Sequence, residues 1–330
     1  MMEIAFGVQV LTSRWHCPDV VICVTPALLA TAMAVARTRL SRRRPATGVL
    51  VQDIYSRGIE ETGAASGLTA RALRALESWT VRRADGVSVI HDGFHLDMTT
   101  QLGVAPERAR VIRNWTHIDA PDPSASAAFR ALYGWRSDEV VVLHAGNMGY
   151  KQGLENVVAA GVLAAQQDVA VRFVLMGDGN QREALQSEAD GVTAVQFIPP
   201  VSDEEFSAAL GAADVLLVNE RPGIAQMSVP SKLTSYFRSG KPILAAVDGA
   251  GLAAQEVLAA EAGVCVPADR PDLLVAEALR LGSDAGLAEK LGEAGRRYSG
   301  ELLSEQRALE SYENWVIDLD CGRTVAEEVR

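Results

Sequence analysis

The segment Ser228-Val-Pro-Ser-Lys-Leu-Thr-Ser-Tyr-Phe-Arg-Ser-Gly-Lys-Pro242 carries the residue types that hold a phosphate or diphosphate. Pro230 suits the first turn of a helix, where no amide donor is required. Gly240 suits the position just past a helix end, and Pro242 stops the helix from continuing. Ile243 to Val247 then reads as a buried strand. The free N–H groups that open such a helix attract an anion. Lys232 stands in that first turn with Ser228, Val229, Pro230, Ser231 and Leu233 around it. A lysine there is mildly unfavourable against the helix dipole, which weighs toward an anionic partner over a merely solvated side chain.

Other candidates fall at strand ends. Gly146-Asn147-Met-Gly149 follows a strand and precedes a helix beginning near Leu154, with Lys151 between them. Small residues there let the backbone approach a pyrophosphate, or else simply make a tight βα turn. Gly177 to Gly179 closes another strand and could border a pocket, and Phe197, ending a strand before Ile-Pro-Pro200, by itself reads as an apolar core residue. Glu256 stands on a helical stretch and by itself reads as a surface carboxylate. Gln52 and Asp53 end an early strand; Asp53 is either a group that orients or deprotonates an acceptor hydroxyl or a turn cap. The five histidines and four cysteines show no metal-ligand spacing, so no metal is expected, and the cysteines read as reduced, mostly buried thiols of a cytosolic protein.

These residues need a scaffold, and the chain supplies one. Its 330 residues are enough for two domains, with 48% hydrophobic and 22% charged residues. A net charge of −11 argues against a nucleic-acid binder. No stretch is long and apolar enough for a transmembrane helix, and Met1 to Val10 lacks the basic start of a signal peptide. Strand-like runs alternate with helical patterns: strands at 19–24, 48–52, 86–90 and 110–114, helices at 28–40 and 68–84. A linker at 117–126 follows, then strands at 140–145, 171–176, 194–198, 214–218, 242–247 and 263–266. This is βαβ logic, with ligands expected at the carboxyl ends of the strands. Arg37, Arg39, Arg42, Arg43 and Arg44 close an apolar helix and read either as contacts to an anionic membrane surface or as a solvated helix end.

The Ser228–Pro242 segment resembles the retaining GT-B glycosyltransferases of family 4, group 1, and most of all the colanic-acid and capsule-type sugar transferases that include L-fucosamine transferases. Val51-Gln-Asp-Ile-Tyr55, Asn114-Trp115, Ala145 to Glu155, Met176-Gly-Asp-Gly179 and Gln255-Glu-Val257 carry the same resemblance in order along the chain. It implies two doubly wound Rossmann-like domains facing a cleft, about 1–120 on the acceptor side and 121–330 binding the donor, with the last helix packing back on the first domain. It implies that an N-terminal domain opens with a strand, a glycine-rich loop and two more strands. Residues 19–24 resemble the fourth strand, so the true start lies upstream or the protein is truncated.

By the same resemblance the donor is a UDP- or GDP-sugar, needing no further cofactor, and the acceptor a lipid-linked saccharide at the inner face of the cell membrane. Gly146, Asn147, Lys151, Gly177, Phe197, residues 228–233 and Glu256 would hold the donor. Asp53, Gln52 and Lys232 would act in transfer. The sequence departs from the family in that Asn147 and Gln152 stand where an Arg and a Lys are usual, and Met227 and Ser235 where two Glu are usual. Lys232 offers a substitute cation. The departures also leave open a catalytically silent module that binds nucleotide or a partner, and a GT-B epimerase would need more acid–base groups than the sequence offers.

Overall fold

A computed structural model describes residues 2–63, 66–227 and 229–328. The chain divides into two units. The first comprises Met1–Asn114, Gln226–Val229 and Gln306–Arg330, and the second Trp115–Ala225 and Pro230–Glu305.

The first unit opens with α1 (Met2–Thr12), a helix the sequence pattern does not reveal, followed by β1 (Val20–Val24), α2 (Leu28–Leu40), β2 (Ala46–Val51), α3 (Tyr55–Thr62) and α4 (Gly67–Arg83). Then come β3 (Gly86–Val89), α5 (Asp92–Thr100) and β4 (Ala109–Val111). Its four strands are parallel and pair in sequence order, with β1 at one edge. Two of the five arginines closing α2 are spent internally. Arg37 donates to the carbonyls of Val10 and Leu11 and lies 4.1 Å over the Trp15 ring, and Arg39 pairs with Asp85 at 2.7 Å. Only Arg42, Arg43 and Arg44 project as exposed cations, which narrows the basic surface expected there. The cysteines are also less buried than expected: Cys17 and Cys321 are exposed.

The second unit carries α6 (Pro123–Leu132), β5 (Val140–Ala145), α7 (Glu155–Gln166), β6 (Val171–Met176), α8 (Arg182–Glu188), β7 (Val195–Ile198) and α9 (Asp203–Ala212). After these come β8 (Val215–Asn219), α10 (Lys232–Ser239), β9 (Ile243–Val247), α11 (Leu252–Ala259), β10 (Gly263–Pro267), α12 (Pro271–Ser283) and α13 (Ala285–Leu302). The linker is shorter than the composition suggests, because Asp122 accepts from Ala125 N and caps α6 with Pro123 in its first turn. The six parallel strands run β10-β9-β8-β5-β6-β7. From β5 the chain winds outward to β6 and β7, returns, and winds the other way through β8, β9 and β10. The reversal of a doubly wound sheet therefore lies between β5 and β8. Strands buried on both faces explain the unbroken apolar runs 140–143 and 215–218, and two apolar clusters cover the sheet.

A final helix, α14 (Glu305–Glu328), returns to the first unit. Its buried Trp315 and Leu319 press on the sheet at Gly48 and Gly86, where any Cβ would lie within 3.0 Å of them. Among the described residues no helix is long and apolar enough to cross a membrane.

Candidate functional site

The carboxyl ends of β5 and β8 flank the point of reversal in the second unit. Gly146, with φ +129°, follows β5, and Gly177, with φ +131°, follows β6. A Cβ on Gly177 would stand 2.1 Å from the Gly146 carbonyl oxygen, so both turns depend on glycine. Backbone bonds from Gly146 N to Met176 O and from Met148 N to Asp178 O lock them together. Gly177 thus serves the shape of the turn that Gly146 begins.

Lys232, the first residue of α10, reaches this turn. A Cβ on Gly146 would lie 3.6 Å from Lys232 Cε and Nζ, so the lysine stem passes over the bare glycine. Its Nζ is 3.0 Å from His144 Nε2 and 3.3 Å from Nδ1. Lys232 keeps some surface in contact with water. Its amine nonetheless loses most of its hydration, which pulls its pKa down to about 7; Glu220 opposes that shift and Lys151 adds to it by repulsion. Glu220 is buried just past β8. Lys151, in the loop after β5, thus acts on Lys232 as a like charge, and Glu220 offsets it.

Asn147 is exposed on the same turn. Gln152 does not stand in for a cation: its Oε1 accepts from Gly149 N at 3.0 Å and stiffens the turn. Pro230 lies two residues before α10 rather than inside it, and its carbonyl accepts from Leu233 N. Ser231 opens the helix without a side-chain cap, and Leu233 is buried in the core. Gly240 ends the helix at φ +72°. Ser228 lies outside the described residues, and Val229 belongs to the first unit. Phe197 is half-buried, its side chain packed on the cluster that contains Phe173 and Leu175. Glu256 is no surface carboxylate; it is buried and accepts from Tyr298 Oη at 3.0 Å.

A family model described as "Glycosyl transferases group 1" matches residues 126–298, more than half of the chain, and one described as "Glycosyl transferase 4-like domain" matches residues 1–115. The chain belongs to the group 1 glycosyl transferases. It is 28% identical over 309 residues to the Escherichia coli K12 protein described as "Putative colanic acid biosynthesis glycosyl transferase WcaI", covering 91% of this chain and 74% of that one. Sucrose-phosphate synthase from Thermosynechococcus elongatus superposes with a TM-score of 0.72 at 18% identity, over 95% of this chain and 76% of that one. Anabaena Alr3699/HepE, solved with UDP-glucose, gives 0.68 at 17% identity, over 94% and 79%. Both share the fold, GT-B with two Rossmann-like parallel-sheet domains.

In this glycosyl transferase several residues around the site escape sequence reasoning. His144 is the lone titratable side chain in an apolar strand, and that contrast is the signal that marks it. Asn219, the polar residue closing β8, donates to the carbonyls of Gln152 and Gly153 at 2.7 and 2.9 Å and so fixes the loop that carries Lys151. In the first unit Gln52 pairs amide to amide with Asn114, at 2.8 and 3.3 Å. The backbone of Asp53 is held by Thr25, whose Oγ1 donates to its carbonyl at 3.0 Å. Just beyond, buried Glu77 accepts from Tyr55 N and Ser56 N and caps α3, although burial raises its pKa. These bonds set the end of β2 where Asp53 stands.

Proposed function

We propose that this glycosyl transferase moves a sugar, with retention, from a nucleoside diphosphate sugar to a lipid-linked saccharide in surface polysaccharide biosynthesis. The pairing of Lys232 with Lys151 at the reversal of the second sheet carries this reading, since it suits a diphosphate. The WcaI likeness and the UDP-glucose bound by HepE support it. The bond from sugar C1 to the diphosphate oxygen breaks, and its electron pair goes to the diphosphate. The acceptor oxygen bonds C1 on the same face, and its proton passes to the departing diphosphate. Lys232, Lys151, the turn at Gly146 and the start of α10 stabilise that leaving charge. Asp53 orients the acceptor hydroxyl. Arg42 to Arg44, with the exposed stripe Ile4, Val8 and Leu11 of α1, bring the enzyme to an anionic leaflet where a lipid-linked acceptor resides.

A binding module without turnover is favoured by one observation, the turned-back Gln152 where the family carries a lysine. Transfer assays with UDP- and GDP-sugars and a lipid-linked acceptor, in vesicles with and without anionic lipid, separate the readings. Transfer with retained anomeric configuration, faster on anionic vesicles, is expected. Lys232→Ala should weaken UDP or GDP binding roughly tenfold or more and leave nucleoside binding unchanged, as suits loss of a charge-assisted contact. Nucleotide binding with no turnover on any acceptor would favour the silent module. Equal diphosphate affinity of wild type and Lys232→Ala would reject the donor site.

A further inference from the structure

We infer that a cavity at the amino ends of β8 and β9 is a second ligand site, taking a small organic dianion, a phosphomonoester or a dicarboxylate. The cavity measures about 400 Å³ and lies wholly within the second unit. That volume falls in the range of roughly 300–1,000 Å³ that small-molecule sites occupy. Asp214 stands just before β8, and Lys241 two residues before β9. In a parallel sheet this is the end opposite Gly146 and Lys232, and the donor reading uses none of the cavity's residues. Pro121, Pro123 and Ala127 supply apolar lining, and Arg130, Asp214 and Lys241 supply charged lining.

The charges there come from four places in the fold. Arg130 belongs to α6, Asp214 precedes β8, Lys241 precedes β9, and Arg296 belongs to α13. Two of them close on each other. Arg130 Nη1 lies 3.1 Å from Asp214 Oδ2, which also accepts from Val141 N at 2.8 Å. The remaining bonds of Arg130 go to the carbonyls of Ala212, Arg136 and Glu139. Arg130 thus serves the carboxyl end of α9, where a helix favours a cation. Asp122, between the two prolines, is committed to the cap of α6. Lys241 is not engaged in this way. Among the described residues its Nζ has no hydrogen-bond acceptor and no ion-pair partner; only its backbone N–H is bonded, to Ser239 Oγ. The amine is nonetheless largely withdrawn from water, which lowers its pKa; Asp214 opposes that shift, and Arg130 and Arg296 add to it by repulsion. A cation so placed gains from an anionic partner. Arg296 Nη1 lies 3.5 Å from the carbonyl of Gly240, the residue before Lys241. With Arg130 and Asp214 cancelling, two cations remain beside one cavity. A dianion offsets both, and its organic part lies against Pro121, Pro123 and Ala127.

Calorimetric titration of the full chain with glycerol 3-phosphate and with succinate tests this, with glycerol and acetate as controls for charge. At least one dianion should bind at a single site, and both controls should bind at least about tenfold more weakly, as suits loss of a charge-assisted contact. Binding of glycerol 3-phosphate alone would identify the ligand as a phosphomonoester, and binding of succinate alone as a dicarboxylate. Lys241→Met removes the amine, keeps an apolar stem, and should weaken the dianion about tenfold or more. Ala127→Phe narrows the cavity from an exposed position with every charge in place, and should weaken it too. Lys232→Ala should bind the dianion as the wild type does. Wild-type affinity in Lys241→Met or in Ala127→Phe would overturn the inference, and so would no binding of either dianion at millimolar concentration. A loss in Lys232→Ala equal to that in Lys241→Met would also overturn it, since the dianion would then sit at the turn of Gly146. If Lys241→Met does not fold, Ala127→Phe decides.

Discussion

Lys232 gives up hydration on folding, and that cost has a readable pH dependence. Its folded pKa of about 7 lies below the ordinary 10.5. Between these values the unfolded chain holds a proton that the folded chain does not, so stability rises with pH across that window. Cys265 acts in the opposite sense: burial raises it from 9.0 to about 11, so its contribution is lost only above pH 9. From pH 7 to 9 the lysine term therefore stands clear of the cysteine. Lys232→Met, close to the same shape without the charge, should flatten the rise in stability over that range, by at most about 1.4 kcal/mol per pH unit. Chemical denaturation of both forms at pH 7, 8 and 9 checks this, and parallel curves would contradict it. Lys232 itself was legible from sequence because Pro230, Gly240 and Pro242 frame it. His144 and Asn219 were not, because their roles depend on strands and loops far apart in sequence that the sheet brings together.

The strands of the second unit are legible because burial on both faces leaves continuous apolar runs such as 140–143 and 171–176, bounded by turn residues. Helix α1 is not legible, since residues such as Ile4, Val8 and Val10 ring it and give no periodic contrast. It docks on α2 through Gly7, where a Cβ would meet Met33 Sδ at 2.5 Å. Helix α14 has the clearer stripe, with Ala308, Tyr312, Trp315 and Leu319 spaced at helical intervals on a charged background. Its place on the first unit rests on Trp315, seated over Gly48 and Gly86. Trp315→Ala should therefore cost about 3–5 kcal/mol, the usual price of emptying such a site. Denaturant titration with a probe in the first unit checks the loss. A change under ~1 kcal/mol would mean that α14 is dispensable for that sheet.

The chain leaves the second unit after Ala225 and re-enters it at Pro230, two residues before Lys232. Within the first unit Glu61 accepts from Gln226 N at 2.6 Å and Met227 N at 3.2 Å, so the approach to α10 is tethered there. The groups around Lys232 itself belong to the second unit: His144 on β5, Glu220 after β8, and the turn at Gly146. Both apolar clusters of the second unit also lie wholly inside it, closed by Tyr298 and Leu303 at its end. A fragment spanning 115–305 thus carries its own core and every group invoked for the diphosphate. It should unfold as one cooperative transition and bind UDP or GDP without the rest of the chain, while transferring no sugar, because Asp53 and the acceptor side are missing. Calorimetric titration of the fragment tests this. A folded fragment that binds neither nucleotide at millimolar concentration would reject the donor site at this sheet end.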